Sequence, residues 1–270
     1  MSIQWDYRGV TRVRLQRKVS LAVQVIDDFT GQAVTSADVK VEAAQLLTKP
    51  VRKGDGYFIF LDSPEPVLDI TVRSWAYHPA AMRVELKQLT RLNPVVKVRL
   101  TPNRSCPIPP QTTCLEGLAP AGSTVQVFCE NDPRPLRLLY DYQCSGPEEG
   151  RFIQLFDPAG NDFEGRSFVL LRKDDDKVET FTVNAAVDGE AGGCLMVAPL
   201  SRDCKKAGTT VLPVMTVQTG ESGSFFLPIR AMAVKTCQCR VICTGSDGLR
   251  QEHSIELESG KVKRMDLTTG

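Results

Sequence analysis

The chain has 270 residues, 42% of them apolar, and its 33 basic and 32 acidic side chains leave a net charge of +1. That is enough apolar material for two or three domains of ordinary size. The charge balance excludes a chain-wide attraction to nucleic acid or to an anionic membrane, and no stretch approaches the ~20 apolar residues of a membrane-spanning helix.

In residues 1–18, Trp5, Tyr7, Val13 and Leu15 interleave with Arg8, Arg12, Arg14, Arg17 and Lys18. Arginine and aromatic side chains are enriched at protein interfaces, and an extended arm can add a strand to a neighbour's sheet. The segment reads as an N-terminal arm in which Trp5, Tyr7, Arg8, Arg12 and Arg14 are candidate interaction residues. The alternative is a first strand folded back on its own module. No apolar run here matches a signal-peptide core, so synthesis in the cytoplasm without a signal peptide is expected.

From Val19 the chain alternates on a two-residue period, with Leu21, Val23 and Val25 on one face, a turn at Asp27–Gly31, and then Val39 and Val41. Such alternation marks half-buried strands. Gly54, Asp55 and Gly56 supply turn chemistry before Tyr57–Phe60, and Val67–Ser74 and Val95–Leu100 complete a first β-sandwich over 19–102. Pro102, Pro107, Pro109 and Pro110 interrupt strand pairing and mark a linker at 103–111.

A second sandwich, Ig-like, is expected over 112–188. It contains Thr124–Phe128, a strand from Phe152 after Gly150, and a hairpin of Ser167–Leu171 with Val178–Val183 around the charged turn Lys173–Lys177. A third is expected over 189–270, ending in a strand from Val262 to Leu267. Gly56-Tyr57-Phe58-Ile59-Phe60-Leu61 and Gly223-Ser224-Phe225-Phe226-Leu227 repeat one pattern, and each glycine precedes a final apolar residue, Leu100 or Leu267, by 44 positions. Phe58, Phe152 and Phe225 are expected at equivalent buried places in three cores. The fold class is all-β, with tandem antiparallel β-sandwich modules and no helix of normal length.

The run Val25–Val34, then Ala37–Val41, then Gly54–Phe58 resembles the prealbumin-like modules grouped as carboxypeptidase regulatory-like or collagen-adhesin B-type domains. Residues 219–226 and 260–267 resemble them less fully, and Gly117–Val127 is similar to the start of bacterial Ig-like repeats. The resemblance implies small bacterial sandwiches, used in tandem, with adhesive, spacer or scaffold roles.

Catalytic chemistry is thinly supplied. His78 and His253 are the only histidines, whereas transthyretin-like hydrolases of the same fold use several. Gly220-Glu221-Ser222-Gly223-Ser224 lacks the closing glycine of a nucleophile elbow. All nine cysteines lie between Cys106 and Cys243, and in a reducing compartment they are expected to be mostly free thiols. Cys106 with Cys114, Cys129 with Cys144, and Cys194 with Cys204 could each close a loop under oxidation. Cys237, Cys239 and Cys243 share one strand face and read as packed core thiols rather than a zinc site. The acidic loops 157–164 and 174–176 lack EF-hand spacing and read as solvated turns.

Neither a metal nor a cofactor is expected. The leading expectation is a non-enzymatic structural or interaction subunit that spaces and docks protein partners in a bacterial or phage-derived assembly, such as a contractile injection or tail-like particle. The alternative is a carbohydrate- or cell-surface-binding adhesion module, and a transthyretin-type hydrolase ranks last.

Overall fold

A computed structural model describes residues 2–5, 11–14, 17–89, 93–132, 135–157, 162–172, 175–187, 190–230 and 234–268, with the main chain alone at 2–5, 11–14 and 175–177. They form two compact units, one of residues 1–25, 33–73 and 79–98, the other of 26–32, 74–78 and 99–270. The chain is all-β. Among the described residues the only helical turns are short 3-10 segments at Leu86–Gln88 and Glu148–Gly150.

The first unit opens with β1 (Ser2–Trp5) and β2 (Thr11–Arg14), antiparallel partners in a two-stranded sheet of their own. The sandwich strands follow as β3 (Val19–Asp27), β4 (Lys40–Ala43), β5 (Val51–Arg52), β6 (Tyr57–Leu61), β7 (Val67–Arg73), β8 (Ala80–Glu85) and β9 (Val95–Leu100). One sheet has the order β5-β6-β3-β9 and the other β4-β7-β8. The period-two pattern buries Leu21, Val23, Val25, Phe58, Phe60, Leu68, Ile70, Val72 and Val84, so β3, β6, β7 and β8 each turn a face inward as alternation requires, whereas both residues of β5 are exposed.

The second unit holds β10 (Cys114–Leu118), β11 (Thr124–Cys129), β12 (Arg137–Leu138), β13 (Phe152–Phe156), β14 (Ser167–Arg172), β15 (Asp175–Ala186), β16 (Gly193–Met196), β17 (Thr209–Gln218), β18 (Ser224–Pro228), β19 (Thr236–Thr244), β20 (Arg250–Glu258) and β21 (Val262–Asp266). A three-stranded sheet runs β18-β10-β21, and a nine-stranded sheet runs β12-β13-β16-β15-β14-β17-β11-β19-β20.

Placed beside the first unit, this order is the same sandwich again. The trio β6-β3-β9 corresponds to β18-β10-β21, and β4-β7-β8 corresponds to β11-β19-β20. The repeated glycines occupy the same joint: both Gly56 and Gly223 are left-handed, with φ of 71° and 69°. The Gly56 carbonyl accepts the Val25 N–H at 2.9 Å, and the Gly223 carbonyl accepts that of Ala119 at 2.9 Å. A Cβ on Gly223 would stand 2.3 Å from the Ala119 oxygen, and one on Gly56 2.7 Å from the Val25 oxygen. Only glycine fits such a turn against a neighbouring strand.

The second copy differs by an insertion. Between β11 and β17 the chain builds β12–β16, which extend the sheet beyond β17 and enclose a core of their own containing Leu138, Tyr142, Ile153, Leu155, Phe168, Phe181, Cys194, Met196 and Val211. Tyr142 pins this lobe, its hydroxyl donating to the Gly150 carbonyl at 2.6 Å and accepting the Leu200 N–H at 3.0 Å. The strands grouped by sequence as 112–188 and 189–270 are therefore interleaved. β10 and β11 share their core with β17–β19 and β21 through Leu115, Val125, Val127, Val217, Phe225, Leu227, Val241 and Leu267. A third cluster of Phe128, Val169, Val178, Leu212, Val214 and Ile242 joins lobe to sandwich on the other face of the long sheet.

Phe58 and Phe225 are buried, at 4% and 3% exposure, as the repeat requires. Phe152 is not: on β13 the inward positions are Ile153 and Leu155, one residue out of phase with the other two strands. A single-residue shift moves every side chain to the opposite face, and Phe152 is left half-buried.

Candidate functional site

The candidate interaction residues of the arm divide between described and undescribed segments. Trp5 ends β1, opposite Thr11, while Arg12 and Arg14 lie on β2 opposite Gln4 and Ser2. Tyr7 and Arg8 lie outside the described residues. Among the described residues, β1 and β2 pair with each other and neither pairs with a sandwich strand.

In the second unit, a groove of about 660 Å³ lies on the outer face of β18-β10-β21, bordered by His78 and residues 103–105. At its centre Glu116 is buried and bonds both flanking guanidiniums, Arg104 and, at 2.9 Å, Arg264. Burial pushes the Glu116 carboxyl up, but hydrogen bonds and charge from Arg264 and Arg104 outweigh it, and the net pKa lies below the ordinary glutamate value. Arg104 also lies 5.8 Å from the Phe226 ring centroid, in cation–π range.

The groove's histidine is bonded to the main chain of β18. His78 Nε2 donates to the Phe226 carbonyl at 3.2 Å, and burial lowers its pKa despite that bond. His253, on β20, stands across from Val241 with its Nε2 buried and unbonded.

A second polar cluster also lies within the second unit, which takes in residues 26–32 and 99–270. Arg230 bonds the Asp28 carboxylate at 2.6 Å, and Arg99 bonds Asp162 at 3.2 Å and the Glu164 carbonyl at 2.7 Å. Arg166 stands beside them, its pKa pushed down to about 10 by burial and by Arg230 and Arg99. Asp162 and Glu164 belong to the acidic loop 157–164; residues 158–161 and the 173–174 part of the hairpin turn, including Asp174, lie outside the described residues.

The cysteines are arranged differently from any pairing suggested by spacing. All nine are free thiols, and Cys129 faces Cys239 rather than Cys144, the two being opposed in the β11–β19 register. Cys237 lies two residues before Cys239, on the same face of β19. The sulfurs of Cys129, Cys237 and Cys239 all lie within 4.8 Å of one another. Sequence identified two members of this group, but it substituted Cys243 for Cys129. The true third member is separated from Cys239 by 110 positions and reaches it through strand pairing alone.

No family model matches the chain, and no curated protein matches it. Among solved structures, two of BcpA, the major pilin subunit of Bacillus cereus, are similar over 92% of this chain and 69% of theirs, at 8% identity and TM-scores of 0.24 and 0.25. A candidate adhesin from Bacteroides ovatus is similar over 93% of this chain and 90% of its own, at 10% identity and a TM-score of 0.18. Likeness at this level carries no functional argument. Among the described residues no helix is long and apolar enough to cross a membrane.

Proposed function

We propose that the chain is a non-enzymatic structural subunit, built on prealbumin-like modules, that docks onto protein partners in a bacterial or phage-derived assembly of contractile-injection or tail-like type. It docks through the arm of residues 1–18, with Trp5, Tyr7, Arg8, Arg12 and Arg14 at the contact. The carrying observation is the self-contained pairing of β1 with β2. A lone two-stranded hairpin is marginally stable in water, and a third strand from a partner's sheet supplies the missing hydrogen bonds. The basic side chains of the arm complement an acidic partner surface and steer its approach.

Deleting residues 2–16 should leave the far-UV circular dichroism of a folded β-protein and reduce incorporation into the native complex. The double variant Arg12→Glu, Arg14→Glu should weaken incorporation in a salt-dependent way. Unfolding of the first sandwich on deletion would make the arm a structural strand, and unimpaired incorporation would move the interface elsewhere.

A further inference from the structure

Two groups of three stand apart among the nine thiols. Cys114, Cys194 and Cys204 direct their S–H groups at nearby main-chain carbonyls, each at 3.6 Å, as isolated core thiols do. Cys129, Cys237 and Cys239 instead converge. The Cys129 and Cys239 sulfurs are 2.9 Å apart, and the Cys237 sulfur lies 2.8 Å from Asn131 Oδ1. That oxygen is held by the Gln238 N–H at 3.0 Å, so its direction is set by the main chain. Cys239 and Cys237 are buried, whereas Cys129 is only partly buried and keeps some contact with solvent. Cys243, on the same strand, is not part of the triangle.

Three sulfurs from two paired strands, two of them buried, thus meet beside an amide oxygen whose direction is fixed by the main chain. Zinc–thiolate bonds of about 2.3 Å set sulfurs roughly 4 Å apart around the ion, so with all three sulfurs already within 4.8 Å of one another the Cys129–Cys239 edge, at 2.9 Å, opens by about 1 Å on binding.

We propose that Cys129, Cys237 and Cys239 bind one Zn²⁺ as three thiolates, with Asn131 Oδ1 or a water as the fourth ligand. Binding three thiols as thiolates releases their three protons, with no change of oxidation state. Cys129 is the residue at which the chain leaves β11 towards the inserted lobe, so the ion ties that departure point to β19. The site is independent of the docking role of the arm.

The full chain, reduced and freed of metal, is titrated with Zn²⁺ and, as an optical probe, Cd²⁺. Expected are one tightly held equivalent, thiolate-to-cadmium charge-transfer absorption, proton release into weak buffer, and a raised melting temperature. In the wild-type chain Zn²⁺ should protect Cys129, Cys237 and Cys239 from alkylation and leave the rate at Cys106 unchanged, a readout that needs no variant. Cys129→Ser and Cys237→Ser should each abolish the cadmium band, and Cys243→Ser should retain it. Absence of stoichiometric binding to the reduced wild-type chain, protection spread evenly over all nine thiols, or a band that survives both Cys129→Ser and Cys237→Ser would overturn the proposal.

Discussion

Glu116 shows how one residue's surroundings set its pH behaviour. Its carboxylate is buried but bonded on both sides by arginine, and its folded pKa lies below the unfolded value. A carboxyl depressed in this way contributes stability above its unfolded pKa of about 4.3 and loses it as pH falls through the folded value. Glu116→Gln should therefore be less stable than the parent at neutral pH, with the difference shrinking on acidification below the ordinary glutamate range. Urea denaturation of both proteins across that range measures it, and a constant difference at every pH would remove the charge from the explanation. At this scale sequence was informative about turns and poor about partners. Gly56 and Gly223 were legible because left-handed turns restrict residue choice. Phe152 was misplaced because a glycine before an alternating run does not fix which phase faces inward, and Cys129 was matched by spacing with Cys144 because its neighbour Cys239 comes from strand pairing.

At the scale of elements, the strands themselves were legible. The hairpin of β14 and β15, the strands flanking Gly56 and Gly223, and the absence of ordinary helices all follow from period-two alternation and turn residues. Strand partnership did not follow, since alternation gives a strand its two faces without naming the strand beside it. That is why β10 and β11 read as the opening of a separate module, although they pair with β17, β18, β19 and β21. The interleaving has an energetic consequence. Phe128, fully buried, packs with Val169 and Val178 of the lobe and with Leu212, Val214 and Ile242 of the long sheet. Phe128→Ala should cost about 3–5 kcal/mol and should destabilise lobe and sandwich together. Cys194, buried in the lobe core, and Cys243, buried in the sandwich core, are natural reporters. Their alkylation during denaturation should begin at the same urea concentration in the parent and shift equally in the variant. Earlier labelling of Cys194 in the parent would show that the lobe unfolds independently.

At the scale of the whole molecule, one sandwich topology is used twice, and the second copy is interrupted by a lobe with its own core. The repeated sequence signal came from the joint that both copies need, while the insertion displaced the matching first strands so far from their glycine turns that spacing concealed the second copy. The strands β1 and β2 form a sheet of their own, and among the described residues neither pairs with a sandwich strand. The most direct measurement of their docking role is amide hydrogen exchange on the full chain, alone and in its native assembly. The β1 and β2 amides should exchange rapidly in the free chain, while the buried strands β3 and β6 remain protected, and β1 and β2 should become protected on assembly. Strong protection of β1 and β2 in the free chain, or unchanged exchange there on assembly, would contradict docking through the arm.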